Sequence, residues 1–472
     1  MNMIVYELNE VPKKLFDFYA VSHPKSAFAT LRNRSQLFQT YTADIGNLSP
    51  WITWPTMHRG VSNVDHEISD LGQDLTYVNR EFPNVYNILA KNGVRVGVFG
   101  SLQSYPLPES LDNFAFYVPD TFAAGDECFP SELSVFQAFN LSMVRANSRN
   151  VQSGIAINGA LQFIKKSLSL GLTGNTFLKL SNQLLRERIN SDRLVRRRTT
   201  QVEIAFDLYF EQLQRTRPDI SFFFTNHVAS SMHRYWPTVF PEDYEEGKFD
   251  HKWRKRWSGE IPHAIKVANF QLHKLLNYCN QTNTELVVCS SMGQGAVTDV
   301  LPVQNQVLIT NLKRLLSFIG IESDEWEPRL AMAPLVIFAP KSDEVKNKLK
   351  RLDNILVNGQ PIHVFITSSG DIRLSIGMVN QSSLSIFEGS KKIEPKEIGI
   401  DNINLQDASG SYAYHIPEGI LLHYIPSQKI NLDINRPWRS VSALDFTPSI
   451  LEKFGLQIPS YMQKENLFLS KS

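Results

Sequence analysis

Carboxylate, amide and imidazole side chains gather in this sequence just where short apolar runs end. Glu7, Asn9 and Glu10 stand at the end of Met3–Leu8, and Asn226, His227 and His233 follow Ile220–Thr225. A carboxylate with neutral imidazoles is a ligand set that holds a zinc-like cation and leaves a position for water. A third run, in "TELVVCSSMGQGAV", ends instead on Ser291 and Met292. A hydroxyl and a thioether are poor ligands for a hard or borderline cation. Two run ends therefore offer metal ligands, and the third does not.

These ends form one site only if the runs lie side by side, because in open α/β sheets ligands collect beyond the carboxyl ends of the strands. The spacing predicts strands at Met3–Leu8, Val94–Gly100, Ile220–Thr225, Glu285–Ser290 and Ala333–Phe338. Between them, helical spacing covers Pro12–Ser22, Val85–Asn92, His263–Asn280, Val307–Phe318 and Leu444–Phe454. Alternation of this kind predicts an α/β protein with a mostly parallel central sheet flanked by helices. Residues 1–128 and 216–472 are expected to form that core, and 129–215 a helical insertion or cap. The insertion ends in one long basic helix, "LLRERINSDRLVRRRTTQVEIAFDLYFEQLQRT", that stops before Pro218. Residues 343–410 carry the turn signals Asn358-Gly359 and Gly370-Asp371 and read as a smaller β-hairpin subdomain.

Lys and Arg number 48 against 47 Asp and Glu, so no global charge draws the chain to nucleic acid. No apolar run reaches the ~18 residues of a membrane span. The start, "MNMIVYELNE", lacks the basic and long apolar regions of a signal peptide, and the expected location is cytoplasmic. Cys128, Cys279 and Cys289, widely spaced and odd in number, fit buried thiols better than disulfides.

The order of motifs resembles the alkaline-phosphatase superfamily, in its type I phosphodiesterase, nucleotide pyrophosphatase and sulfatase-like branches. Glu7 in "VYELNE" stands where that family has its first acidic ligand, and "SPWITWPTMHRGVSNVDHEI" resembles its nucleophile block. The block is shorter than usual, so Thr53, Thr56 or Ser49 could take the nucleophile's place, and His66 matches its downstream His. "FFFTNHVASSMHRYW" is similar to the family's middle block, with His233 on its His and Asn226 or His227 replacing its Asp. "SSMG" lies where "SDHG" belongs, which puts Ser291 and Met292 on the metal-binding pair. "YHIPEG" supplies a late His, His415, and "SALDFTPSILEKFGLQIPSYM" is similar to the C-terminal helix.

What the resemblance implies is one retained metal site and one degraded one. His233 and His415, with His227, are the expected ligands of the one retained divalent ion, zinc or else manganese; Glu7 is the metal-binding acid left at the second site, whose ion is expected to be absent. Thr53, Thr56 and His66 are the candidates for nucleophile and proton transfer. The implied activity is hydrolysis or transfer of a phosphate or sulfate ester on a small substrate such as a glycan or nucleotide. The alternative is an inactive member of the fold that binds a phosphorylated glycan, lipid or nucleotide. From the residues themselves, Asn9, Asn226, Arg254 and Trp257 are candidate substrate contacts, since interleaved Arg and Trp in "HKWRKRWSG" can grip an anionic sugar.

Overall fold

The computed structural model describes residues 2–146, 166–331, 334–367, 370–428, 436–463 and 469. Residues 147–165 of the expected insertion and Ala333 of an expected strand lie outside them. The described residues fall into two compact units, one from 2–142, 166–300 and 411 onward, the other from 143–146 and Leu301–Gly410.

The first unit is built on a mixed sheet whose middle is parallel. Strands β1 (Met3–Leu8), β2 (Ser35–Tyr41), β3 (Val96–Phe99), β4 (Phe114–Val118), β5 (Ile220–Thr225) and β6 (Glu285–Cys289) all belong to it. β1 lies between β5 and β6, parallel to both, with Glu7 level with Phe224 and Cys289. Every residue of β1 is buried, as expected of a parallel strand covered on both faces. Leu421–Tyr424 is inserted antiparallel between β6 and β2, and the parallel strand Arg439–Ser442 closes that edge.

Side-chain alternation decides which layer each residue of β1 enters. Ile4, Tyr6 and Leu8 face the layer containing Ala264 and Leu272 of the helix Glu260–Thr282. Met3 and Val5 face the opposite layer, with Trp54 and Met57 of the helix Pro50–Arg59. Glu7 shares their parity.

The second unit holds small antiparallel sheets around a core of its own, including Ile309, Phe338 and Ile386. It extends from Leu301, well before residue 343. The helix expected from Val307 begins only at Leu312; Asn305–Ile309 is a strand paired antiparallel with Ile400–Asn404. Asn311 caps the helix by accepting from the Arg314 N–H. The expected long basic helix is likewise divided, into Gly174–Ile189, the 3₁₀ turn Ser191–Arg196 and Arg197–Thr216. Asn190 breaks it by accepting from the Asp192 N–H. All three cysteines are free and buried. Among the described residues no helix is long and apolar enough to cross a membrane.

Candidate metal centre

Glu10, His233 and His415 bring one carboxylate oxygen and two imidazole nitrogens within 4.8 Å of one another. Glu10 lies two residues beyond β1 with φ 57°, a left-handed turn that carries its carboxylate past the sheet edge. Its Oε2 is 3.0 Å from His233 Nε2 and 3.6 Å from His415 Nε2.

Each of the three side chains is held by a partner on its far side. His233 Nδ1–H donates to the Ala413 carbonyl at 2.7 Å, and His415 Nδ1–H to the Leu48 carbonyl at 2.6 Å. In a neutral ring this fixes the tautomer and leaves the Nε2 lone pair facing Glu10, as is common in metal-binding histidines whose other ring N–H is held by a carbonyl. Glu10 Oε1 accepts from Asn9 Nδ2 at 2.8 Å, while Asn9 Oδ1 accepts from the Trp54 indole at 2.7 Å. The indole can only donate, so the Asn9 amide has one orientation.

Gln294 completes the surround. It sits directly opposite His415 across the antiparallel pair Gly293–Ala296 and Ala413–Ile416, so the two side chains share a face. Its Nε2 donates to Glu10 Oε2 and to the Ala229 carbonyl. Gly293, level with Ile416 at the end of this strand pair, has no room for a side chain, because a Cβ there would collide with the Glu418 carbonyl oxygen.

Burial raises the pKa of the Glu10 carboxyl, but the His233 charge and hydrogen bond, then His415 and Gln294, bring it down to about 2. Burial, with His233 alongside, lowers the His415 pKa. When both rings are neutral, two Nε2 lone pairs and one carboxylate oxygen converge on one point, and that donor set matches the His/carboxylate sites that bind zinc. The residues therefore fit the implied ion.

The remaining sequence candidates are placed elsewhere. Glu7 is not in the triad: its parity turns it under the helix Pro50–Arg59, where Oε1 accepts from His58 Nε2 at 2.6 Å and Oε2 from the Ser101 hydroxyl at 2.7 Å. Both of its oxygens are taken by protein donors. His227 is also outside, because the helix begins at His227 itself and six residues along a helix reach a different face. Its Nε2–H donates to the Ala264 carbonyl at 3.0 Å, and its Nδ1 accepts from the Thr225 hydroxyl.

Thr53 and Ser291, both fully buried, share a hydrogen bond of 2.8 Å, and Met292, next to Ser291 in sequence, has no exposed surface. Thr56 donates to Asp44 at 2.7 Å and accepts at 2.9 Å from His66 Nε2, whose tautomer is set by the Ile68 N–H on Nδ1. Asn9 is a support for Glu10 rather than an exposed contact, while Asn226 is exposed and accepts from Asn9 Nδ2 at 2.8 Å. Trp257 is core, stacked on Tyr235 at 5.5 Å, and Arg254 is half-buried on the same helix. The nearby basic residues are neutralised in pairs, Arg196 with Glu260 and Arg256 with Asp192.

No protein-family model matches the chain, and no curated protein sequence does. Among solved structures the chain is similar to murine ectonucleotide pyrophosphatase/phosphodiesterase 5, with 11% identity over 97% of this chain and 96% of that one and a TM-score of 0.40. That protein is also known in an inactive form in complex with AMP. A second similar structure is phosphonoacetate hydrolase from Sinorhizobium meliloti 1021 in complex with phosphonoformate, with 13% identity over 95% and 94% of the two chains and a TM-score of 0.40.

Glu10, Gln294 and His58 escape a reading that takes the acid inside the strand as the ligand. The signal for Glu10 was the strand's period of two, which sends Glu7 into the core and leaves the next carboxylate, in "ELNE", beyond the edge.

The buried imidazoles also set an acid limit on the fold. Burial pushes His227 down to about 4, and burial together with the Arg59 charge does the same to His66. Depressed folded pKa values mean the unfolded chain binds protons first. Stability is then intact above about 6.5 and falls as pH drops from there through about 4, by roughly 3 kcal/mol per histidine at the limit. In urea unfolding between pH 7 and 4, His227→Gln should flatten this slope; an unchanged slope would rule His227 out.

Proposed function

We propose that this chain is a one-metal hydrolase of phosphate or sulfate esters. The observation that carries the reading is the convergence of Glu10, His233 and His415 with both Nδ1–H groups anchored on backbone carbonyls. Glu10, His233 and His415 would hold the ion, which when bound polarises an ester oxygen and lowers the pKa of water. The phosphate or sulfate class follows from the motif resemblance.

Among the described residues no second cluster of metal-ligating side chains accompanies the first. The acid that would bind a second ion, Glu7, already accepts two hydrogen bonds, and Thr53 is tied to Ser291. Thr53 is therefore a weak candidate for the nucleophile. Ser49 is a better one: it is the N-cap of the helix Pro50–Arg59, its buried hydroxyl has no hydrogen-bond partner, and it adjoins Leu48, whose carbonyl holds His415. In that reading a Ser49 Oγ–phosphorus bond forms as the ester P–O bond breaks, the serine proton ends on the departing oxygen so that the alcohol leaves, and water later releases phosphate and returns a proton to Ser49. Positive partial charge at the helix start favours the anionic group there.

The test is phosphodiesterase and sulfatase turnover by zinc-loaded protein and by Ser49→Ala and Thr53→Ala. Ser49→Ala should lower kcat by at least about a hundredfold, with Thr53→Ala much nearer wild type. Equal activity of Ser49→Ala and wild type would move the attack to water. No turnover by metal-loaded wild type on either ester class would overturn the hydrolase.

A further inference from the structure

Of its large apolar residues, the helix Gly174–Ile189 turns only Leu180 against the core. An ordinary surface helix buries its apolar side, but here Thr176 and Glu187 are buried, and Gln183 donates to both Glu187 and the Arg193 carbonyl. Glu187 is answered by Arg197 at 2.9 Å. At about 100° per residue, Leu178, Leu185 and Ile189 fall on the opposite side and Phe177 and Leu184 on one flank of it, together a broad apolar stripe. Their exposures run from 37% for Phe177 to 86% for Ile189.

The charges along this stripe have one sign. Arg188 lies within it, Arg186 is exposed on the same helix, and Lys166 is exposed a few residues before it. Glu187, the helix's only acid, is buried in its ion pair. An exposed aliphatic face of this extent marks an interaction site.

We propose that the outward face of the helix Gly174–Ile189 rests on an anionic lipid surface. The leucines, Phe177 and Ile189 would enter the headgroup boundary, and Arg186, Arg188 and Lys166 would meet lipid phosphates and carboxylates. A second copy of the chain fits less well. It would bury Arg188 of both copies in an apolar contact to which this helix brings no free carboxylate. The helix is 16 residues long and so spans about 24 Å, enough to lie in the interface and too short and too charged to cross it.

The experiment is co-sedimentation of the full chain with vesicles of phosphatidylcholine alone and of phosphatidylcholine mixed with phosphatidylserine. Binding to the mixed vesicles should exceed binding to phosphatidylcholine and weaken with added salt. Leu178→Glu with Leu185→Glu should reduce it at least about tenfold. Arg186→Gln with Arg188→Gln should keep the fold and reduce the salt dependence. Failure of the wild type to sediment with the mixed vesicles would overturn the proposal, as would binding by the leucine variant equal to that of the wild type. A dimer in solution that the leucine variant returns to monomer, without vesicle binding, would assign the face to a second copy instead.

Discussion

Glu10→Ala strips the bound metal from the chain, and Glu7→Ala leaves it in place: this is the expected result of comparing the two carboxylates at the end of β1. Glu10 Oε2 lies with His233 Nε2 and His415 Nε2. Both Glu7 oxygens accept from His58 and Ser101 instead. Removing Glu10 takes away the only negative charge among the three converging groups and leaves two imidazoles, which bind zinc far more weakly. His233→Ala and His415→Ala should do the same. Asn9→Ala, which frees Glu10 Oε1 without touching a ligand, should weaken binding by about 10–100-fold, the usual effect of a second-shell partner. The measurement is metal content by mass spectrometry after purification without chelator, followed by zinc titration. About one ion per chain in wild type and in Glu7→Ala, with none in Glu10→Ala, is the expected pattern. Metal lost with Glu7 but retained without Glu10 would return the site to the strand.

The contrast between these two acids also marks how far the sequence reaches. β1, β5 and β6 are legible because each is a short apolar run covered on both faces. The site lies where such runs end, and His233 and His415 were readable from the motif blocks. What the sequence hides is orientation. Glu7 and Glu10 are both acids near a strand end, and only the pleat and the left-handed φ of Glu10 separate them. His227 and His233 differ only by whether their helix starts before or after His227. The antiparallel strand Leu421–Tyr424 is four residues long, and its register with β2 and β6 is set by partners distant in sequence. Asn190 and Asn311 show the local counterpart: each side chain competes for a backbone N–H and sets a helix boundary that apolar periodicity passes over.

Glu7 itself becomes a stability element, and its removal should be among the costliest single changes in the protein. Both its carboxylate and the His58 ring are at most 1% exposed, so water cannot replace either partner. Glu7→Leu leaves the His58 Nε2–H and the Ser101 hydroxyl without acceptors inside the layer that contains Trp54 and Met57. Breaking a buried pair from one side costs about 3–5 kcal/mol. His58→Leu should cost a similar amount by stranding the carboxylate. The double change Glu7→Leu with His58→Leu removes both polar groups and should cost clearly less than the sum, because an apolar pair leaves only Ser101 to be satisfied. Urea unfolding of the metal-free proteins at pH 7 measures the cycle. Additive losses would mean that the two groups do not depend on each other. Strong coupling would place Glu7 and His58 in the scaffold, with His58 filling the side of the carboxylate where a second cation would have to bind.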